Sequence, residues 1–203
     1  MCSQDPLRRR YPGVVSTPAD SSGPAWEQRL TSALAAADWR AEHAVKGLSP
    51  EQLNWRPQPD AWSAGQCLEH LHITNQIYLP AISIALEGHP PSPVHEITLS
   101  RFSRWFIRNY IAPNPGGARA QAPKKIQPAK QVDPAILDAF LRSNQTVRDM
   151  VARASAYNVN TIRFKNPFIP LLRFTVGTGL EIVTQHQSRH LLQAEGVLTG
   201  RPT

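Results

Sequence analysis

Residues 184–193 read TQHQSRHLLQ, and the two histidines in that run frame the reading of the whole chain. Four residues of α-helix turn through about 400° and rise about 6 Å, so His186 and His190 share one face, one turn apart. Followed outward in both directions, that face collects Val176, Gly179, Leu180, Val183, Gln187 and Ala194. The pattern predicts an amphipathic helix from near Thr175 to about Ala194, with Gly196 just past its end. Gly177 and Gly179 weaken the helix propensity of its first turn. An imidazole on an apolar stripe demands a partner, because its ring nitrogens lose water on burial.

Upstream, three more segments follow the helical period. Pro24 suits a first helical turn, and Leu30, Leu34, Ala37, Ala41 and Val45 recur at three- and four-residue intervals up to about Lys46. After the turn-rich GLSPEQLNWRPQPDA of residues 47–61, Ser63 and Gln66 make a capping-box pattern that opens a second helix. Its inward stripe is Cys67, His70, Leu71, Thr74, Tyr78, Ala81 and Ala85, and Gly88 with Pro90 and Pro91 stops it. His72 points about 200° away from His70 and, with His43, His89 and His95, is expected on the surface. Trp55 and Trp62 are expected to pack the corner between the first two helices. Asp133 as N-cap and Pro134 at the first helical position open a third helix to about Ala156, with a stripe of Leu137, Phe140, Leu141, Asn144, Val147 and Val151.

Four amphipathic helices with no clear period-two strand and no internal repeat predict an all-α four-helix bundle over residues 24–198, with a long crossover between the second and third helices. Residues 1–23 lack periodicity and read as a disordered or loosely docked lead-in. The crossover, about residues 89–132, is proline-bearing and long enough to be either functional or loosely ordered. Within it, LSRFSRWFIRNYIA predicts a short helix carrying Arg101, Arg104 and Arg108 on one side and Phe102, Trp105, Phe106 and Tyr110 elsewhere.

The formal charge of this 203-residue chain is +7, and its distribution says more than its total. Residues 98–130 hold seven basic residues and no acid, leaving fifteen of each sign elsewhere. A balanced body with one basic insert argues against a continuous nucleic-acid face and for a local anion-attracting or docking segment. The arginine-bearing stretch could lie on a membrane surface or steer an anionic thiol inward; the plainer alternative is a solvated flap. Cys2 and Cys67 make no disulfide framework and fit a reducing compartment. With no apolar run of signal-peptide or spanning length, the expectation is a cytoplasmic protein without membrane insertion.

His70, His186 and His190 together predict one divalent-metal site. Three neutral imidazoles converging in an apolar core offer three acceptors that a single cation satisfies at once. Three histidines suit zinc, nickel and similar ions and leave positions open, the arrangement of a reactive site. The bland alternative is helix histidines satisfied by carbonyls or water. Cys67 could be a fourth ligand but reads better as a small packing residue. Glu69 and Glu181 could serve as bases but read better as solvated carboxylates, and Gln187 and Asn144 as outer-shell donors or buried amides.

LNWRPQPDAWSAGQCLEHLHITN, with the later NPFIPLLRF and TQHQSRHLLQAEGV, resembles the DinB-like family (damage-inducible protein B, or YfiT-like proteins) over roughly residues 26–198. Trp62-Ser63, His70, His186 and His190 match its tryptophan-serine helix start, following histidine and H-x3-H pair. The resemblance implies a four-helix bundle, often dimeric, with a three-histidine divalent metal site, and for some members a low-molecular-weight thiol as co-substrate. The basic, proline-rich connection is longer here than the family's usual link. The function expected is activation of water or a small thiol by the metal, for hydrolysis or transfer on a small molecule. The rival expectation is a non-catalytic ligand-binding or protein-interaction bundle that works through the basic insert.

Overall fold

In the computed structural model, residues 23–113 and 122–200 are described, so the lead-in expected for residues 1–23 lies, Gly23 apart, outside the described residues. α1 (Ala25–Val45) starts behind Pro24 and buries Trp26, Leu30, Leu34, Ala37, Ala41 and Val45, the stripe read from the sequence plus one tryptophan. The following connection contains a one-turn helix that the turn-rich composition concealed, α2 (Pro50–Leu53), closed by a Ser49–Gln52 capping box. α3 (Ala64–Leu86) opens on the predicted box: Ser63 N–H donates to Gln66 Oε1 at 3.0 Å and Gln66 N–H to Ser63 Oγ at 3.1 Å.

α4 (Arg101–Phe106) continues into a wider turn over Ile107–Ile111, and a 3₁₀ turn spans Lys124–Ile126. α5 (Ile136–Ala154) begins later than predicted. Asp133 Oδ1 accepts from Ala135 N–H at 2.8 Å, only two residues on, so it caps a preceding turn and not the helix. The buried face of α5 is also rotated, with Ile136, Ser143 and Met150 replacing Leu137 and Leu141. A two-stranded antiparallel hairpin, unforeseen because each strand has three residues, pairs β1 (Arg163–Lys165) with β2 (Arg173–Thr175). α6 (Val176–Thr199) is capped by Thr175 and runs through Gly196 to Gly200, a turn beyond the predicted end, because Val197 still has core to bury. Its two early glycines serve packing: a Cβ on Gly179 would sit 2.7 Å from the Phe164 ring, and Gly177 N–H donates to Val159 O at 2.8 Å.

α3 packs against both α5 and α6, and α1 against the same two, so consecutive bundle helices α1 and α3 are diagonal. Burial along each helix divides into two apolar clusters. One holds Ala37, Ala41, Leu68, Leu71, Phe140 and Leu191; the other holds Trp26, Leu30, Tyr78, Ile82, Val151 and Leu180. α3 and α5 both run from the first cluster to the second, hence parallel, while α1 and α6 run the other way. Parallel neighbours cannot be joined by a tight turn, and that is why the link from α3 to α5 must travel back along the bundle. Between the clusters lies a polar layer in which Asn75 Nδ2 donates to Ser143 Oγ at 3.2 Å and Gln187 Nε2 to Asn144 Oδ1 at 2.7 Å. Asn144 in turn donates to Leu34 O and to Asp38, which pairs with Arg148.

Candidate metal centre

The three histidines meet at the level of this polar layer. His70 reaches inward from α3, and His186 and His190 from α6. His186 Nε2 lies 3.2 Å from His70 Nε2 and 3.1 Å from His190 Nε2, and one ring nitrogen of each lies within 4.8 Å of the others. Their outer nitrogens are occupied. His70 Nδ1 donates to Ile126 O at 2.6 Å, and His190 Nδ1 to Gln193 Oε1 at 3.0 Å. These bonds leave both Nε2 atoms as bare acceptors facing His186, whose own Nε2 has at most one proton for two lone pairs. Nitrogens bound to zinc at about 2.0–2.1 Å with tetrahedral angles stand about 3.3 Å apart. The donor set therefore fits one small divalent cation in chemistry, and the two spacings to His186 match it.

Electrostatics favours the ligating form. Burial depresses all three imidazole pKa values, and with the neighbouring imidazoles and Arg189 adding to it His186 falls well below its usual range and His190 to about 3. Trp62 packs on the cluster between the end of α1 and the start of α3, as expected, and also meets the histidines. Its ring lies over His70 at 4.8 Å and His190 at 5.6 Å and shields them from water. Cys67 is wholly buried and its thiol is pushed up to about 12, which makes it a packing residue.

Glu69 Oε2 accepts from Ala129 N–H at 2.7 Å. Glu181 is buried and paired with Arg29, contrary to the solvated face expected, because residues 176–184 of α6 are covered all round. His72 too is half-buried against α5, whereas His43, His89 and His95 are exposed. Sequence reading missed Ile126 and Gln193, which orient two of the rings. A carbonyl carries no residue signature, but a glutamine three places after His190 was a readable one.

The cluster faces a cavity of about 1370 Å³ between α3, α6, α4 and the hairpin. Its walls are aromatic, with Tyr78, Phe102, Trp105, Phe106 and Phe168 lining it, and its charged lining side chains are Asp60 and Arg189. Arg189 is held there by its bond to Tyr110 O at 2.9 Å. Compared with known proteins, residues 33–194 match the sequence model of the DinB superfamily.

The chain belongs to the DinB superfamily. No curated protein matches it. Among solved structures it is similar to YfiT from Bacillus subtilis, described as a probable metal-dependent hydrolase with an unusual four-helix bundle topology. The two align with a TM-score of 0.55 over 89% of this chain and 90% of that one, at 14% identity, a likeness of fold. The parallel run of α3 and α5 gives this DinB-superfamily chain its long α3–α5 link, and that link supplies the carbonyl that orients His70. Among the described residues, no helix is long and apolar enough to cross a membrane.

Proposed function

We propose that this chain, with residues 24–198 as its one domain, is a metal-dependent enzyme acting on a small molecule. In this reading His70, His186 and His190 hold one divalent cation, zinc or nickel first among the candidates. What carries the reading is the convergence of three imidazole nitrogens, two with their tautomers fixed from behind, on the wall of a roomy cavity. A divalent cation so held supplies a Lewis acid with open positions, able to acidify water or a thiol and to polarise a carbonyl.

The chain's own residues do the rest. Ile126 O and Gln193 Oε1 hold the Nδ1 protons and so aim the Nε2 lone pairs. Trp62 keeps bulk water off two of the rings. The aromatic walls bind the apolar part of a substrate, and Arg189 draws an anionic group, such as a thiolate or carboxylate, towards the cluster. Glu69 and Glu181 are engaged elsewhere, so proton transfer falls to the incoming reactant itself or to Asp60 at the cavity wall. A small thiol as co-substrate, a homodimer and a cytoplasmic location complete the proposal, supported by the family resemblance.

Elemental analysis of protein purified without an affinity tag is expected to find about one divalent ion per chain. His186→Ala, which removes the ring shared by both close contacts, is expected to lower that affinity at least a hundredfold. Full occupancy in a variant with all three histidines replaced by alanine would end the reading. A screen with water and small thiols as acceptors then separates hydrolysis from transfer.

A further inference from the structure

The mouth of the cavity is apolar where a solvent-facing rim would be polar. Phe102, Trp105, Tyr110 and Ile169 line the cavity, yet each is between 37% and 50% exposed. Leu171, next to cavity-lining Leu172, is fully exposed and sits at φ 66°, a left-handed conformation that leucine rarely adopts. α4 and the hairpin form one continuous surface, since Phe174 of β2 packs on Phe102 at 6.3 Å and Phe106 at 5.2 Å. Arg101 and Arg104 of α4, Arg108 of the wider turn after it, and Arg163, Lys165 and Arg173 of the hairpin are all exposed. Residues 98–113 and 150–180, which supply this surface, contain no acidic residue.

We propose that the face made by α4 and the β-hairpin docks peripherally on an anionic lipid bilayer, with the cavity mouth turned towards it. Large apolar tips interleaved with arginine and lysine are what the headgroup region accepts: the tips enter the acyl boundary while the cations meet lipid phosphates. Charge complementarity selects the occupant. A second copy of the chain would bring like charge against like. A nucleic acid would use the arginines but leave Leu171 and Ile169 without a role. A bilayer uses both and gives an apolar ligand a short path from the membrane into aromatic walls. The idea is independent of the metal reading, because no histidine of the cluster takes part.

The test is cosedimentation of the tag-free full chain with phosphatidylcholine vesicles, with and without a quarter of phosphatidylglycerol, in the presence and absence of chelator. Binding is expected to the mixed vesicles, weakly or not at all to phosphatidylcholine alone, and to fade as salt rises. Combined Arg101→Ala, Arg104→Ala and Arg108→Ala is expected to weaken it by about tenfold or more. Leu171→Asn, which keeps a residue tolerant of the left-handed backbone, is expected to weaken it severalfold with the circular dichroism spectrum unchanged. Equal binding to both vesicle types, or binding to neither, overturns the proposal. So does loss of duplex-DNA binding in the triple-arginine variant, or loss of self-association in Leu171→Asn, when vesicles do not bind. Metal content is measured on the same samples, and the vesicle result stands whichever way it falls.

Discussion

The two ends of the bundle are built differently. At one end Ala37, Ala41, Ala64, Cys67, Leu68, Leu71, Phe140, Leu191 and Ala194 close a core of mostly small and aliphatic side chains, with one-turn α2, Trp62 and the crossover residue Val132 laid against it. A Cβ on Gly65 would sit 3.0 Å from Leu53, so even this cap is drawn in by close backbone approach. At the other end the aromatic rings Trp26, Tyr78, Phe164 and Phe174 join an aliphatic core, and α4 and the hairpin are added beside it around a cavity with aromatic walls. Regular helix periodicity with these short additions seals the first end. The second needs more chain from far away in sequence, and that imported chain also makes the cavity wall.

Three substitutions would break or sharpen this contrast. Phe140→Ala at the closed end is expected to cost about 3–5 kcal/mol of stability, since a fully buried ring leaves a void among residues that cannot collapse into it. Denaturant unfolding measures this, and metal content of the folded fraction should stay the same. If the metal is lost as well, the two ends are not separable. Gly179→Ala at the open end is expected to cost about 1–3 kcal/mol, because the new methyl would overlap Phe164 of the hairpin. Here binding of an apolar dye in the cavity should change along with stability, and an unchanged dye affinity would show that the hairpin is not part of the chamber wall. Ser63→Ala is expected to cost about 1 kcal/mol by removing one arm of the capping box. Its effect should be confined to the transition midpoint, and a larger loss would mean that the start of α3 also positions His70.

The sequence and the structure agree best where contacts are local. α1 buries its predicted stripe because residues three and four apart share a face whatever surrounds them. His70, His186 and His190 converge as expected for the same reason, each sitting on an inward stripe of its helix. Agreement weakens where neighbours decide. α5 turns Ser143 inward to meet Asn75, a preference that a hydrophobic stripe built on leucines does not contain. Glu181 looks like a surface residue until Arg29 and the covering elements are in place. Trp62 was legible as a corner-packing tryptophan, but which rings it meets depends on the approach of α6. The hairpin was invisible because its strands, held by Phe164 and Phe174 pointing inward, are too short to show alternation.

The bond from His70 to the Ile126 carbonyl ties one ring's aim to a main-chain atom. Replacing the isoleucine side chain leaves that oxygen in place, so point changes at position 126 alone cannot erase the contact. What can erase it is a change in the path of the strap, by altering its length or the prolines Pro123 and Pro128 on either side. Evolution of the connection is thereby free in letters and bound in shape.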